Sequence, residues 1–232
     1  MNIEALLLSA RLALSVSAIL FVVGVPLAYW LAYSRWRWKF LLEAVVALPL
    51  VLPPTVLGFY MLLAMGPRGA LGKLWSAAFG HGLAFTFAGL VIASVLYSLP
   101  FAVQPLIASF ETIDRKLLDA SAVLGAGRLR TFFRVVLPLS IPGVITAVVL
   151  SFAHTLGEFG VVLMVGGNLP GVTRTVSIDI YDRAQSLDYA GASHTALLLL
   201  LISFAILSAV YGINRSAGRR AGRRAVLPWA AK

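Results

Sequence analysis

The sequence predicts an all-α integral membrane protein of five transmembrane helices, with a two-helix loop between the third and fourth standing at the cytoplasmic face. Three observations predict it. Of 232 residues, 60% are hydrophobic and only 12% charged, and the mean hydropathy of +0.92 is far above that of a soluble domain. The apolar residues gather into five runs, each near or beyond the roughly 20 residues that a ~30 Å hydrocarbon core requires. The net charge is +10, and the cations crowd onto one set of the segments between runs. This length leaves no room for a soluble catalytic domain, so residues 1–215 read as one transmembrane domain and 216–232 as a basic cytoplasmic tail. Without cysteine there is no disulfide framework, zinc-finger spacing or thiol chemistry.

The first run, 12–33, is too long for a signal-peptide core, and Glu4 beside Arg11 ahead of it is not a positive leader. It reads as a retained helix. Gly24, Ala28 and Ala32 form a small-residue stripe of the kind that lets membrane helices approach closely. Arg35, Trp36, Arg37, Trp38 and Lys39 then alternate cations with interfacial aromatics, as where a chain leaves the bilayer on its cytoplasmic side. The second run, 40–65, carries Pro49, Pro53 and Pro54 in mid-span, followed by Thr55. Carbonyls left unpaired by proline cannot face lipid, so this run is expected to be kinked and to line a cavity or a translocation path. Residues 66–82 read as a loop. The third run, 84–107, carries Pro100, Gln104 and Pro105.

The loop at 111–138 follows. Ile113, Leu117, Ala120 and Leu124 recur at helical spacing, with Arg115, Lys116 and Asp119 on the other side. Gly125 and Gly127 stop that helix, and a second short one is expected to bury Leu129, Phe132, Phe133 and Val136, to expose Arg130 and Arg134, and to close at Pro138. Two short helices about a glycine elbow make a knob that a partner can grip. The fourth run, 141–165, repeats a small-residue stripe in Gly143, Ala147 and Ser151. It also holds Glu158, the one acidic residue deep in an apolar run, in a stretch with His154, Thr155, Gly157 and Gly160. A polar loop at 166–190 and a fifth run at 195–213 complete the chain.

With the amino terminus outside, 14 of the 19 cations fall on cytoplasmic segments, and inverting the topology would invert this bias. The distribution explains the basic charge: the tail's arginines meet anionic lipid headgroups, and no aromatic residues alternate with them to stack bases, so no nucleic acid is expected. The nearest approach to a phosphate loop, Gly66 to Leu74, fails: it has Pro67 five before Gly72, and Leu74 where Ser or Thr should follow Lys73. No ATP, cofactor or metal site is therefore expected in this chain, and it is not read as an enzyme.

The knob carries a resemblance. Asp119-Ala120-Ser121, three residues, Gly125, nine residues, Val135, one residue, Leu137-Pro138 resembles the cytoplasmic motif E-A-A-x3-G-x9-I-x-L-P of ATP-binding-cassette importer permeases of type I. Asp119, Ser121 and Val135 are the conservative departures. The stretch from Leu48 to Gly58, the run from Leu156 to Gly160 and the loop Asn168, Pro170, Gly171, Thr173, Arg174, Thr175 are similar to the molybdate permeases, with sulfate and thiosulfate permeases alike in the Glu158 run. The resemblance implies a homodimer, two ATPase subunits that bind ATP and Mg and grip the two knobs, a periplasmic molybdate-binding protein, and alternating access in the cytoplasmic (inner) membrane of a prokaryote. It assigns Asp119, Ala120 and Gly125 to the ATPase contact. The residues themselves leave Glu158 open: it is protonated, paired with His154 at i,i+4, or facing a structural partner, because an ionised carboxylate in the path repels a dianion. A secondary transporter, from another class, would need repeats and paired carboxylates that are absent here.

Overall fold

The computed structural model describes residues 2–225, with side chains described through residue 212; the basic-tail reading lies largely outside the described side chains. Among the described residues the elements are helical: α1 (Ile3–Tyr33), α2 (Lys39–Val51), α3 (Pro54–Met65), α4 (Ala70–Phe79), α5 (Phe87–Glu111), α6 (Arg115–Val123), α7 (Arg128–Thr131), a π-turn (Phe132–Val136), α8 (Leu137–Leu139), α9 (Ile141–Gly157), α10 (Gly160–Gly166), α11 (Val176–Gln185) and α12 (Tyr189–Ala225). By length and apolarity three of them can cross a bilayer, and five crossings result when each of two bent pairs counts as one.

Contacts sort the helix ends into two groups. At one end Asn2 donates to Asp179 (3.1 Å), Ser9 accepts from the Val176 N–H (2.8 Å) and Met65 packs with Leu83 and Val165. At the other, the Tyr33 hydroxyl donates to the Phe110 carbonyl (2.8 Å) and Lys39 Nζ to the Leu31 carbonyl (3.3 Å). The α2–α3 pair thus starts at the second end and finishes at the first, despite a bend of 112°. Pro53 and Pro54 cause that bend, since neither can donate a helical hydrogen bond and each pushes its predecessor out of the α region. Leu52 and Pro53 accordingly both adopt ψ of 136°.

The core follows the same division. Val25, Leu31, Leu106, Phe110 and Val136 pack near the second end, and Leu12, Leu20, Leu90, Val162 and Ile178 near the first. Both small-residue stripes are packed: Gly24, Ala28 and Ala32 are buried in α1, and a Cβ at Gly143 would overlap Ser109 of α5. Several loop and span assignments need correction. Residues 66–82 contain α4 and residues 166–190 contain α11, both amphipathic and too short or polar to cross a bilayer. The fourth run is interrupted at Glu158 and Phe159, which are not helical.

Candidate functional site

The knob is built as its sequence dictates at the elbow. Asp114 caps α6 by accepting the Lys116 N–H (2.9 Å). At the other terminus the Gly125 N–H bonds the Ala122 carbonyl (2.9 Å) and the Ala126 N–H bonds the Ser121 carbonyl (3.0 Å), with Gly125 at φ +76°. That is a Schellman stop, which places a residue in the left-handed region that glycine occupies without a Cβ penalty. Ser121 and Thr131 hydroxyls then join α6 to α7 at 2.8 Å. Asp119, Ala120 and Gly125 are exposed, Ser121, Val135 and Leu137 half-buried, and Pro138 exposed.

The second helix differs from expectation. Val136 is buried and Phe132 packs on the core, but Leu129 and Phe133 are 76% and 61% exposed, as are Val123 and Leu124 at 87% and 85%. The spacing gives the helix phase, and four large apolar side chains still find no cover within the chain. The unit ends one residue past Pro138. Lacking an N–H, Pro138 cannot bond the Arg134 carbonyl; the preceding N–H of Leu137 reaches back to Phe132, opening the π-turn, and the helix runs on to Leu139 before turning 75° into α9.

A polar seam lies between α5 and the broken fourth run. The Ser98 hydroxyl contacts His154 Nδ1 (2.9 Å) and the Thr155 hydroxyl (3.0 Å), and the His154 ring stacks on Phe101 with centroids 3.9 Å apart. The pairing of His154 with Glu158 does not form: α9 ends at Gly157, Glu158 turns to ψ 135°, and no ion pair joins them. Glu158 is 4% exposed, and the buried hydroxyl of Ser94 faces its carboxylate from α5. The two chain breaks adjoin, because a Cβ on Gly160 would come within 2.7 Å of Pro54. Around them Pro53, Pro54, Thr55 and Gly157 are exposed and Pro49 is half-buried, so the proline break lies on the surface of the single chain rather than inside it.

The 168–175 loop is locked by its own polar groups. Arg174 Nε donates to Asn168 Oδ1 (2.6 Å), Asn168 Nδ2 donates to Asp182 (3.2 Å), and Thr173 Oγ1 donates to the Gly166 carbonyl (2.6 Å). Gly171 sits at φ +71° beside Glu4; Pro170 is exposed, and Thr175 is buried at the start of α11. Sequence reasoning missed Ser94 and Ser98, which face the fourth run one helical turn apart on α5, and the Asp179–Arg183–Asp188 cluster (2.8 and 2.9 Å). The i,i+4 serine spacing was a readable signal. Asp179 and Arg183 are likewise an i,i+4 pair within α11, whereas Asp188 joins them only through the turn after Gln185, which has no comparable pattern.

Residues 24–220 match the family described as the binding-protein-dependent transport system inner membrane component. The chain is 53% identical to the molybdenum transport system permease protein ModB of Azotobacter vinelandii, over 92% of this chain and 95% of that one. Against the protein of the same name in Escherichia coli K12 the identity is 38%, covering 95% and 96%. The fold resembles a bacterial ABC transporter that imports alginate (TM-score 0.70, 16% identity, 90% of this chain and 79% of the other) and the inward-facing MetNI methionine ABC transporter (TM-score 0.69, 17% identity, 92% and 94%).

Proposed function

Because the chain belongs to the family of inner membrane components of binding-protein-dependent transport systems, and is a transport permease rather than an enzyme, we propose that it translocates molybdate into the cytoplasm as the membrane subunit of an ATP-driven importer. The observation that carries the coupling half of this reading is the knob at residues 119–138, whose apolar crown is uncovered within the chain. Two copies form the path, each knob enters one ATPase subunit that holds ATP and Mg, and a periplasmic molybdate-binding protein delivers the anion. The amino terminus lies outside and the knob in the cytoplasm, which the cation bias supports.

In this reading the adjoining breaks at Pro53–Pro54 and Glu158–Phe159 are where the path opens and closes. Proline-broken segments cannot rigidly transmit a push along a span, so motion of the knob is converted into bending there. The 168–175 loop stiffens the periplasmic rim. The test is to reconstitute the chain with its ATPase and an anion-loaded binding protein in liposomes. Molybdate is expected to stimulate ATP hydrolysis and sulfate to do so weakly, at one permease per ATPase. Equal or greater stimulation by sulfate or thiosulfate would reassign the substrate. Glu158→Gln retaining full molybdate-dependent turnover would remove any essential role for the ionised carboxylate.

A further inference from the structure

Two adjoining cavities open between the last third of α1 and the second helix of the knob. One, of about 240 Å³, is walled by Val25, Pro26, Leu129, Phe132 and Phe133. The other, of about 470 Å³, is lined by Trp30, Tyr33, Ser34 and Leu118. Tyr29 and Arg128 belong to both, so the two form one groove, apolar at one end and polar at the other.

The groove has a depth that can be read along α1. Pro26 lies seven residues before Tyr33, an axial distance of about 10 Å at 1.5 Å per residue, which puts the apolar end inside the hydrocarbon. The polar end reaches the aromatic and cationic exit of α1, where the rings of Trp30 and Trp36 lie 5.9 Å apart and Arg37 sits over Trp38. Among the described residues no ion pair or hydrogen bond takes up the Arg128 guanidinium. The polar end thus carries one cation on its wall, Arg128, and presents side chains with hydroxyls from Tyr29, Tyr33 and Ser34.

We propose that this groove holds an anionic phospholipid, with an acyl chain between Val25, Pro26 and Phe133 and the phosphodiester at Arg128. The charge matches the inner leaflet, and the guanidinium is the side chain suited to a phosphate at an interface. A soluble subunit does not reach Pro26. The lipid would bridge α1 to the knob, so that movement of the knob must open or reshape an occupied groove. The inference does not depend on the identity of the transported anion.

The full-length chain is purified in mild detergent, and native mass spectrometry counts phosphatidylglycerol against phosphatidylcholine after delipidation and add-back. One phosphatidylglycerol retained per chain, with phosphatidylcholine at least tenfold weaker, is the expected result. Arg128→Gln and Leu129→Glu, both at exposed positions, should each lower phosphatidylglycerol occupancy at least tenfold without shifting the melting temperature. Equal retention of the two lipids by the wild-type chain, which needs no variant, would overturn the proposal. So would undiminished phosphatidylglycerol binding by Arg128→Gln, or its displacement when a second copy of the chain or the ATPase is bound.

Discussion

At the end of the bundle where α1 begins, the charged side chains close on one another: Asp179 takes Asn2 and Arg183, Arg183 takes Asp188, and Arg174 takes Asn168 and Asp182. At the knob the only side-chain hydrogen bonds among the described residues 114–134 are the Asp114 cap and the Ser121–Thr131 pair, while Arg115, Arg128, Arg130 and Arg134 make no ion pair. Four large apolar side chains stand uncovered there as well. The 168–188 cluster is completed by the chain itself, whereas the arginines and apolar crown of the knob are left open to something else. Substitutions at the first end should therefore act on stability, and those at the second on assembly.

The largest effect is expected at the knob. Val123→Asp with Leu124→Asp should abolish co-purification of the ATPase while changing the chain's stability by less than about 0.5 kcal/mol, as for exposed positions without special roles. A pull-down and a thermal melt on the same preparation check both halves. Next comes Asp179→Ala, which removes two hydrogen bonds to a 3% exposed carboxylate and should cost about 2 kcal/mol in detergent unfolding, with ATPase capture unchanged. Lost capture with unchanged stability would break the division between the ends. Gly125→Ala meets no atom within 4 Å, so its cost is the left-handed backbone alone, about 1 kcal/mol, read as a smaller melting shift and weaker coupling.

The smallest effect is pH-dependent. The Gly191 N–H, then Arg183, hold the Asp188 carboxyl below its ordinary value of 3.8. A depressed folded-state value means that this contribution is fully present above that range and is lost as the pH falls through it. Melting temperature should therefore be lower in Asp188→Asn near neutrality, with a difference from wild type that shrinks as the pH falls further below 3.8.

Much of the fold was readable because bilayer thickness and proline act locally. The helix at 12–33, the break at Pro53–Pro54 and the elbow at Gly125 follow from residue type and short-range geometry. The start of α1 at Ile3 was missed because its first turns are anchored by Asn2 and Ser9 to residues 177 and 167 positions away. Of the three alternatives for Glu158, the i,i+4 pairing with His154 fails for a different reason. Helical spacing relates two residues only while the helix continues, and Gly157 and Gly160 bracket the point where it stops. Likewise, periodicity aligned Leu129 and Phe133 with Phe132 and Val136, but it cannot say which of them finds cover within the chain. The exposed crown of the knob could not be deduced, since its cover lies outside the chain.

The coupling claim is tested most directly by Gly125→Pro in liposomes containing the complete transporter, with molybdate uptake and ATP hydrolysis followed together. Proline fixes φ near −65°, where Gly125 needs +76°, and removes the N–H that closes the elbow on Ala122. Predicted is a protein that inserts normally and captures less ATPase, with uptake per ATP hydrolysed reduced at least tenfold. Uptake and hydrolysis in the wild-type ratio would contradict the assignment of residues 119–138 as the coupling element.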